Sequence, residues 1–293
     1  MTSIQPGILA PVPPVARYLT FQLVPGGEVG PALARLASQV DPALTVIGVG
    51  RSMALALGRD LPGLRDFTAR SAPGIDLPST PAALWCWLRG EDRGELLHRS
   101  RAVVAAVAGA CELDATVDAF RYGSGRDLTG YEDGTENPAG DAAVAAAALD
   151  GAGAGLDGSS FVAVQQWLHA LDRFDAMGRG EQDAMVGRRR DDNGEIDDAP
   201  ESAHVKRTAQ ESFEPEAFVL RRSMPWTDGT RAGLVFTAFG RSLDAFEAQM
   251  RRMMGEDDGI TDALFRFTRP LTGACFWCPP VARGRLDLRA IGL

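Results

Sequence analysis

Four early stretches of the chain either alternate apolar and polar residues with a period of two or run continuously apolar. They are ARYLTFQLV from Ala16, LTVIGVG from Leu44, ALWCWLRG from Ala83 and CELDATVDAFRYG from Cys111. Alternation marks a strand with one buried face, and a short unbroken apolar run marks a strand covered on both. Between them, VGPALARLASQV from Val29 and GELLHRSRAVVAAVAG from Gly94 place apolar residues three and four apart, on one face of a helix. The predicted order is βαββαβ-like, which suggests a ferredoxin-like α+β unit.

The second half repeats the theme. SSFVAVQQWLHAL from Ser159 reads as a strand, DRFDAMGRGEQDAMVG from Asp172 as a helix, EAFVLRRSMPW from Glu216 and GLVFTAFG from Gly233 as strands. SLDAFEAQMRRMMG from Ser242 follows as a helix and TGACFWCPP from Thr272 as a last strand. Residues 139–158 (AGDAAVAAAALDGAGAGLDG) are Ala- and Gly-rich, the composition of a flexible connection. The expected fold is therefore α+β, with two ferredoxin-like halves, antiparallel sheets and peripheral helices. The expected division is 1–150 and 151–293.

Composition narrows the function. An apolar content of 45% supports a real core, and 30 basic against 39 acidic residues give a net charge of −9. That charge disfavours nonspecific attraction to nucleic acid or an anionic membrane. No apolar run approaches the ~20 residues of a membrane span, and MTSIQPGILAPVPP lacks the features of a signal peptide. A soluble, cytoplasmic protein acting on small molecules is expected. The four cysteines are too few and scattered for a disulfide framework and read as reduced thiols.

Only three histidines occur, so each can be weighed as a metal ligand. His98 lies in an amphipathic helix and His169 in an apolar strand, where structural or solvent-facing roles are expected. His204 sits in ESAHVKRTAQESF, after an acidic loop and without a clear period, a setting where functional residues concentrate. Its other reading is a loop histidine with no role. No HExxH or paired CxxC accompanies it, so a multi-ligand zinc site is poorly supported, and a cofactor needing one protein ligand, such as haem, fits better. The stretch LTGYEDGTENPAG from Leu128 is dense in turn formers, with Glu132 and Asp133 between Gly130 and Gly134. Glycines there permit close backbone approach to a flat ligand; a surface turn with solvated carboxylates is the plain alternative. Gly153, Gly155 and Gly158 form GxGxxG, but no strand precedes and no helix follows, so a dinucleotide site is not expected. Cys275 and Cys278 form CxxC within an apolar strand and have no second pair, so they read as buried thiols.

These segments carry a resemblance. GYEDGTENP at 130–138 is similar to the GxxDG motif of the dye-decolourising peroxidase family, and AHVKRTAQESFEPEAFVLRRSMPW at 203–226 resembles its segment bearing the proximal histidine and distal arginine. QPGILAPVP near the N-terminus and LFRFTRPLTGACFWCPP near the C-terminus resemble the bacterial B-type branch, so the resemblance spans nearly the whole chain.

The resemblance implies one haem b per chain, held in the C-terminal half with His204 as the axial iron ligand. It implies Asp133 as distal acid/base and Arg221 as distal cation, with Ser223 a polar distal residue. Strand alternation puts Arg221 and Ser223 on one face and Arg222 on the other. Asp262, in ITDALFRF, is the expected partner for the second ring nitrogen of His204; its other reading is a helix-start carboxylate. Arg189, within the Arg188–Arg190 run, is the expected propionate contact, against the plain reading of solvated charge. Hydrogen peroxide would then be reduced to water through a ferryl intermediate while organic donors, dyes and phenolics, are oxidised. A carboxylate base stays ionised where a histidine near pH ~6.5 is already protonated, so an acidic optimum is expected. The five tryptophans, Tyr122 and Tyr131 are candidate electron relays, and the sequence does not choose among them. A haem-binding protein for haem carriage or iron release is the rival function. Self-association as a homo-oligomer and packaging as cargo of a protein shell are further expectations of the resemblance.

Overall fold

The structure is a computed structural model that describes residues 2–293. In the first half, strands β1 (Val15–Leu23), β2 (Thr45–Val49), β3 (Leu84–Gly90) and β4 (Cys111–Phe120) form an antiparallel run ordered β2-β3-β1-β4. Helices α1 (Val29–Gln39) and α2 (Arg93–Val107) join β1 to β2 and β3 to β4. In the second half, β5 (Ser160–His169), β6 (Met224–Asp228), β7 (Arg231–Gly240) and β8 (Ala274–Cys278) run in the order β6-β7-β5-β8. Both halves thus share the ferredoxin-like strand order, and the mixed, antiparallel architecture is the expected one.

The halves are joined more closely than the sequence implies. Val49 of β2 pairs with Trp277 of β8, and Ala119 of β4 pairs with Trp226 of β6. These two seams close the eight strands into one ring. Its interior is filled by large side chains from both halves, including Tyr18, Trp85, Trp87, Phe239 and Phe276, all buried. A second apolar layer lies outside the ring, where alternate strand residues such as Leu19, Ile47, Ala163 and Trp277 meet the helices. Coverage of both faces explains why β2 and β3 read as unbroken apolar runs. Among the described residues no helix is long and apolar enough to cross a membrane.

Three predicted elements differ. Residues 139–158 are not a loose connection: Asp141–Ala147 form helix α3, with Ala143, Ala146 and Ala147 buried. The alanine content reflects close packing rather than flexibility, and the Ala146 carbonyl accepts from the Arg241 N–H at 2.8 Å. The predicted helix at 172–187 is two pieces, α4 (Leu171–Asp175) and α5 (Arg179–Val186), parted where Gly178 is extended. Gln182 Nε2 donates across the break to the Phe174 and Met177 carbonyls at 2.8 and 3.2 Å. The predicted strand at 216–226 is split into Leu220–Arg221, on the edge of β7, and β6.

Candidate active site

An apolar-lined cavity lies outside the ring in the second half, with about 880 Å³ of unfilled space counting its open mouth. Alternation along β5 turns Gln165, Trp167 and His169 to this cavity, and β7 contributes Leu234 and Phe236. Met250 and Met253, one helical turn apart on α7 (Asp244–Met253), form an apolar wall with Leu264.

His204 begins the one-turn helix α6 (His204–Arg207), beside α7, and lines the cavity. Its Nδ1–H donates to Asp262 Oδ2 at 2.7 Å. Asp262 is 1% exposed and its other oxygen accepts from the Leu264 N–H at 2.8 Å, capping the short helix Ala263–Arg266. The two readings of Asp262 are therefore both met, by different oxygens. A buried carboxylate is tolerable only when its lone pairs are used this way. Since the carboxylate accepts, the proton sits on Nδ1; Nε2 has no protein partner among the described residues.

Asp133 and Arg221 both line this cavity and also a second, more polar one of about 690 Å³. Neither the Asp133 carboxylate nor the Arg221 guanidinium has a protein hydrogen bond or ion pair among the described residues, and Arg221 Nε is buried without a partner. Their neighbours are committed elsewhere. Glu132 accepts from Arg126 Nε and Ser124 Oγ, both at 2.7 Å. Arg222 is spent on the carbonyls of Ile8 and Leu9 at 3.0 and 2.9 Å. The Asp133 loop is pinned to the Arg221 strand by Asn137, whose Nδ2 donates to the Arg221 carbonyl at 3.0 Å while its Oδ1 accepts the Arg221 N–H at 2.8 Å. Gly134 is required in that turn: its φ is +79°, and a Cβ would lie 2.6 Å from Asn137 Nδ2.

Ser223 lines the second cavity and not the first, with its buried hydroxyl unpartnered. Arg189 is not brought into the site. Its side chain is 53% exposed and forks onto Asp192, the solvated-charge reading. Arg190 does reach the loop, donating to the Thr129 carbonyl at 3.1 Å. His98 is exposed on α2. Cys275 and Cys278 are buried thiols whose ionisation burial pushes far up. Gly155 and Gly158 of the GxGxxG stretch admit the backbones of Ala290 and Ser3 at 2.9 and 2.8 Å from where a Cβ would sit.

His169, expected to be structural or solvent-facing, is on the cavity wall. Its Nε2 meets Asp127 Oδ2 at 2.9 Å and its Nδ1 meets Thr268 Oγ1 at 2.6 Å. Alternation from Trp167 was the signal available for it. Nothing local in the sequence announced Asp127, which lies 42 positions from its partner.

This cavity brings together an imidazole nitrogen without a protein partner and two unpartnered opposite charges, an arrangement suited to chemistry on a bound group. The profile described as "Dyp-type peroxidase, C-terminal" matches residues 124–283. The dye-decolorizing peroxidase of Mycolicibacterium paratuberculosis is 30% identical, over 94% of this chain and 83% of its own. A DypB variant from Rhodococcus jostii RHA1, solved in complex with haem, superposes with a TM-score of 0.83 at 25% identity, over 93% of this chain and 94% of its own. The encapsulated DyP-type peroxidase of Mycobacterium smegmatis gives 0.83 at 26%, over 94% and 96%. The chain belongs to the Dyp-type peroxidase family and is a peroxidase.

Proposed function

We propose that the chain binds one haem b in the β5–β7–α7 cavity and reduces hydrogen peroxide while oxidising organic donors such as dyes and phenolics. The observation that carries this is the unpartnered pair Asp133 and Arg221 lining the same cavity as His204. Haem carriage alone gives no reason to keep two opposite charges free at that place. The residues fit the group: an apolar wall for the porphyrin, a free imidazole Nε2 for its iron, and Asp262 behind Nδ1 to fix the ring and make it a stronger donor. Gln165, fully buried with both amide atoms unpartnered, also lines the cavity and offers polar contacts to an occupant.

When bound, the haem supplies the redox centre that accepts the oxidising equivalents of peroxide. The protein's part is positioning, proton transfer and charge stabilisation. The Asp133 carboxylate takes the proton from one peroxide oxygen and delivers it to the other, so that water can leave. Arg221, always protonated, stabilises the negative charge that grows on the departing oxygen. Ser223 and the second cavity hold peroxide and water near that pair. The division near residue 150 belongs to this reading: the first half brings Asp133, the second His204, Asp262 and Arg221.

The test is a haemin titration followed by a peroxide-dependent dye assay, for the native chain and His204→Ala. The native chain should bind one equivalent with a Soret band and turn over dye. His204→Ala should lose the native ligation spectrum and most turnover. Absence of binding in the native chain would refute the proposal.

A further inference from the structure

The acidic stretch between α7 and the short helix Ala263–Arg266 gives each of its carboxylates a different basic partner. Glu256 meets Arg70 at 2.6 Å, Asp257 meets Arg251 at 3.0 Å, Asp258 meets Arg207 at 2.7 Å and Asp262 meets His204 at 2.7 Å. Two of these partners, His204 and Arg207, are the first and last residues of α6. A single helical turn has too few internal hydrogen bonds to fix its own position, so its side chains must place it. Arg207 is suited to that. It is 4% exposed, and its Nη1 and Nη2 fork onto the two oxygens of Asp258 at 2.7 and 2.8 Å. Nη2 also donates to the carbonyl of Arg252, in the last turn of α7, at 2.7 Å. A planar fork of this kind fixes direction as well as distance. The receiving stretch is itself held. Asp258 Oδ1 accepts the Ile260 N–H at 2.9 Å, the Gly255 carbonyl accepts the Gly259 N–H at 2.8 Å, and the Met253 carbonyl accepts the Asp262 N–H at 2.8 Å. Asp258 and Asp262 are thus fixed relative to each other, and they grip the two ends of one helical turn.

We propose that Arg207 and Asp258 are positioning residues for His204: their ion pair sets how closely the imidazole stands to Asp262, and so how strongly its free nitrogen donates to the iron. The proposal rests on the haem reading above. Neither residue lines the cavity, so both act only through His204. With the pair intact, the hydrogen bond from Nδ1 to Asp262 keeps its 2.7 Å length, and a carboxylate that close makes Nε2 the stronger donor. With the pair broken, α6 is held at its His204 end alone and that hydrogen bond is free to lengthen. Loss of the Asp258 charge also strands a buried guanidinium, which draws the Arg207 end of the turn toward water.

The test uses the haem-loaded full chain, native, Asp258→Asn, Arg207→Lys and, as a control, Asp257→Asn. The control removes the same charge one position away, from a more exposed pair that involves α7 and not α6. Three quantities are read: haemin affinity, the iron midpoint potential, and the iron–histidine stretching frequency of the reduced protein by resonance Raman. Asp258→Asn and Arg207→Lys should weaken haemin binding about tenfold, raise the potential and lower the stretching frequency. Arg207→Lys keeps the charge but not the fork, so its shift reports position rather than charge. Asp257→Asn should match the native protein in all three. A native stretching frequency and potential in Asp258→Asn or Arg207→Lys, or equal shifts in Asp257→Asn, would overturn the positioning role while leaving the haem reading standing. Failure of the native chain to bind haemin would remove the haem reading and this role with it.

Discussion

Asn137 and Arg221, 84 residues apart, exchange two hydrogen bonds of 2.8 and 3.0 Å through one side-chain amide and one backbone unit. The carboxylate loop and the arginine strand come from different halves, and this amide holds them in one geometry. Asn137→Ala should leave the Arg221 N–H without its side-chain partner, with the C=O kept only by Arg222 Nη1 at 3.1 Å, and cost about 1–3 kcal/mol, read by denaturant unfolding. The rate of the haem response to peroxide should fall with it, since Asp133 and Arg221 are no longer held together. A stable variant with a native rate would contradict the role. Gly134→Ala should act in the same direction, through strained φ and the collision with Asn137.

In the proposed site Asp262 would act on the haem only through its hydrogen bond to His204. Asp262→Asn should weaken haem binding about 10–100-fold and, by removing the negative partner, raise the iron midpoint potential, read by haemin titration and spectroelectrochemistry. An unchanged potential would mean that the pair is merely structural.

Asp127 gives a pH-dependent prediction. Burial by itself would raise its carboxyl, but the His169 hydrogen bond and charge, with two hydrogen bonds from Thr129, hold it below the usual range. A folded-state value below the unfolded one contributes stability that is complete above about pH 3.9 and lost as pH falls through the folded value. The Tm difference between native and Asp127→Asn should therefore be widest near neutrality and shrink below about pH 4. A constant difference across that range would refute the assignment.

Much of this was legible in the sequence because its signals are local. Strand alternation, helical spacing and the turn-rich loop around Asp133 each depend on a few neighbouring residues, and the eight ring strands followed from them. Ring closure was not legible, since each seam rests on a single pair, Val49 with Trp277 and Ala119 with Trp226, far apart in the chain. Residues 139–158 misled because alanine and glycine serve close packing and looseness alike. Within the site, local setting drew attention to His204 and to the Glu132–Asp133 turn, each with a plain reading beside it, and the resemblance singled out His204, Asp133 and Arg221. Arg189 did not enter the site, because an arginine run does not show which member finds a local carboxylate. His169 was underrated because its partner, Asp127, becomes its neighbour only in the folded chain.

Asp133 and Arg221 are proposed to work on peroxide beside a haem held by His204. Rapid mixing of haem-loaded protein with one equivalent of peroxide tests it, for the native chain, Asp133→Ala and Arg221→Leu. A prompt change in the native haem spectrum is expected, slowing by about 100-fold or more in at least one variant, the scale of losing a positioned proton carrier or charge stabiliser. Equal rates in all three proteins, or no response in the native chain, would contradict it.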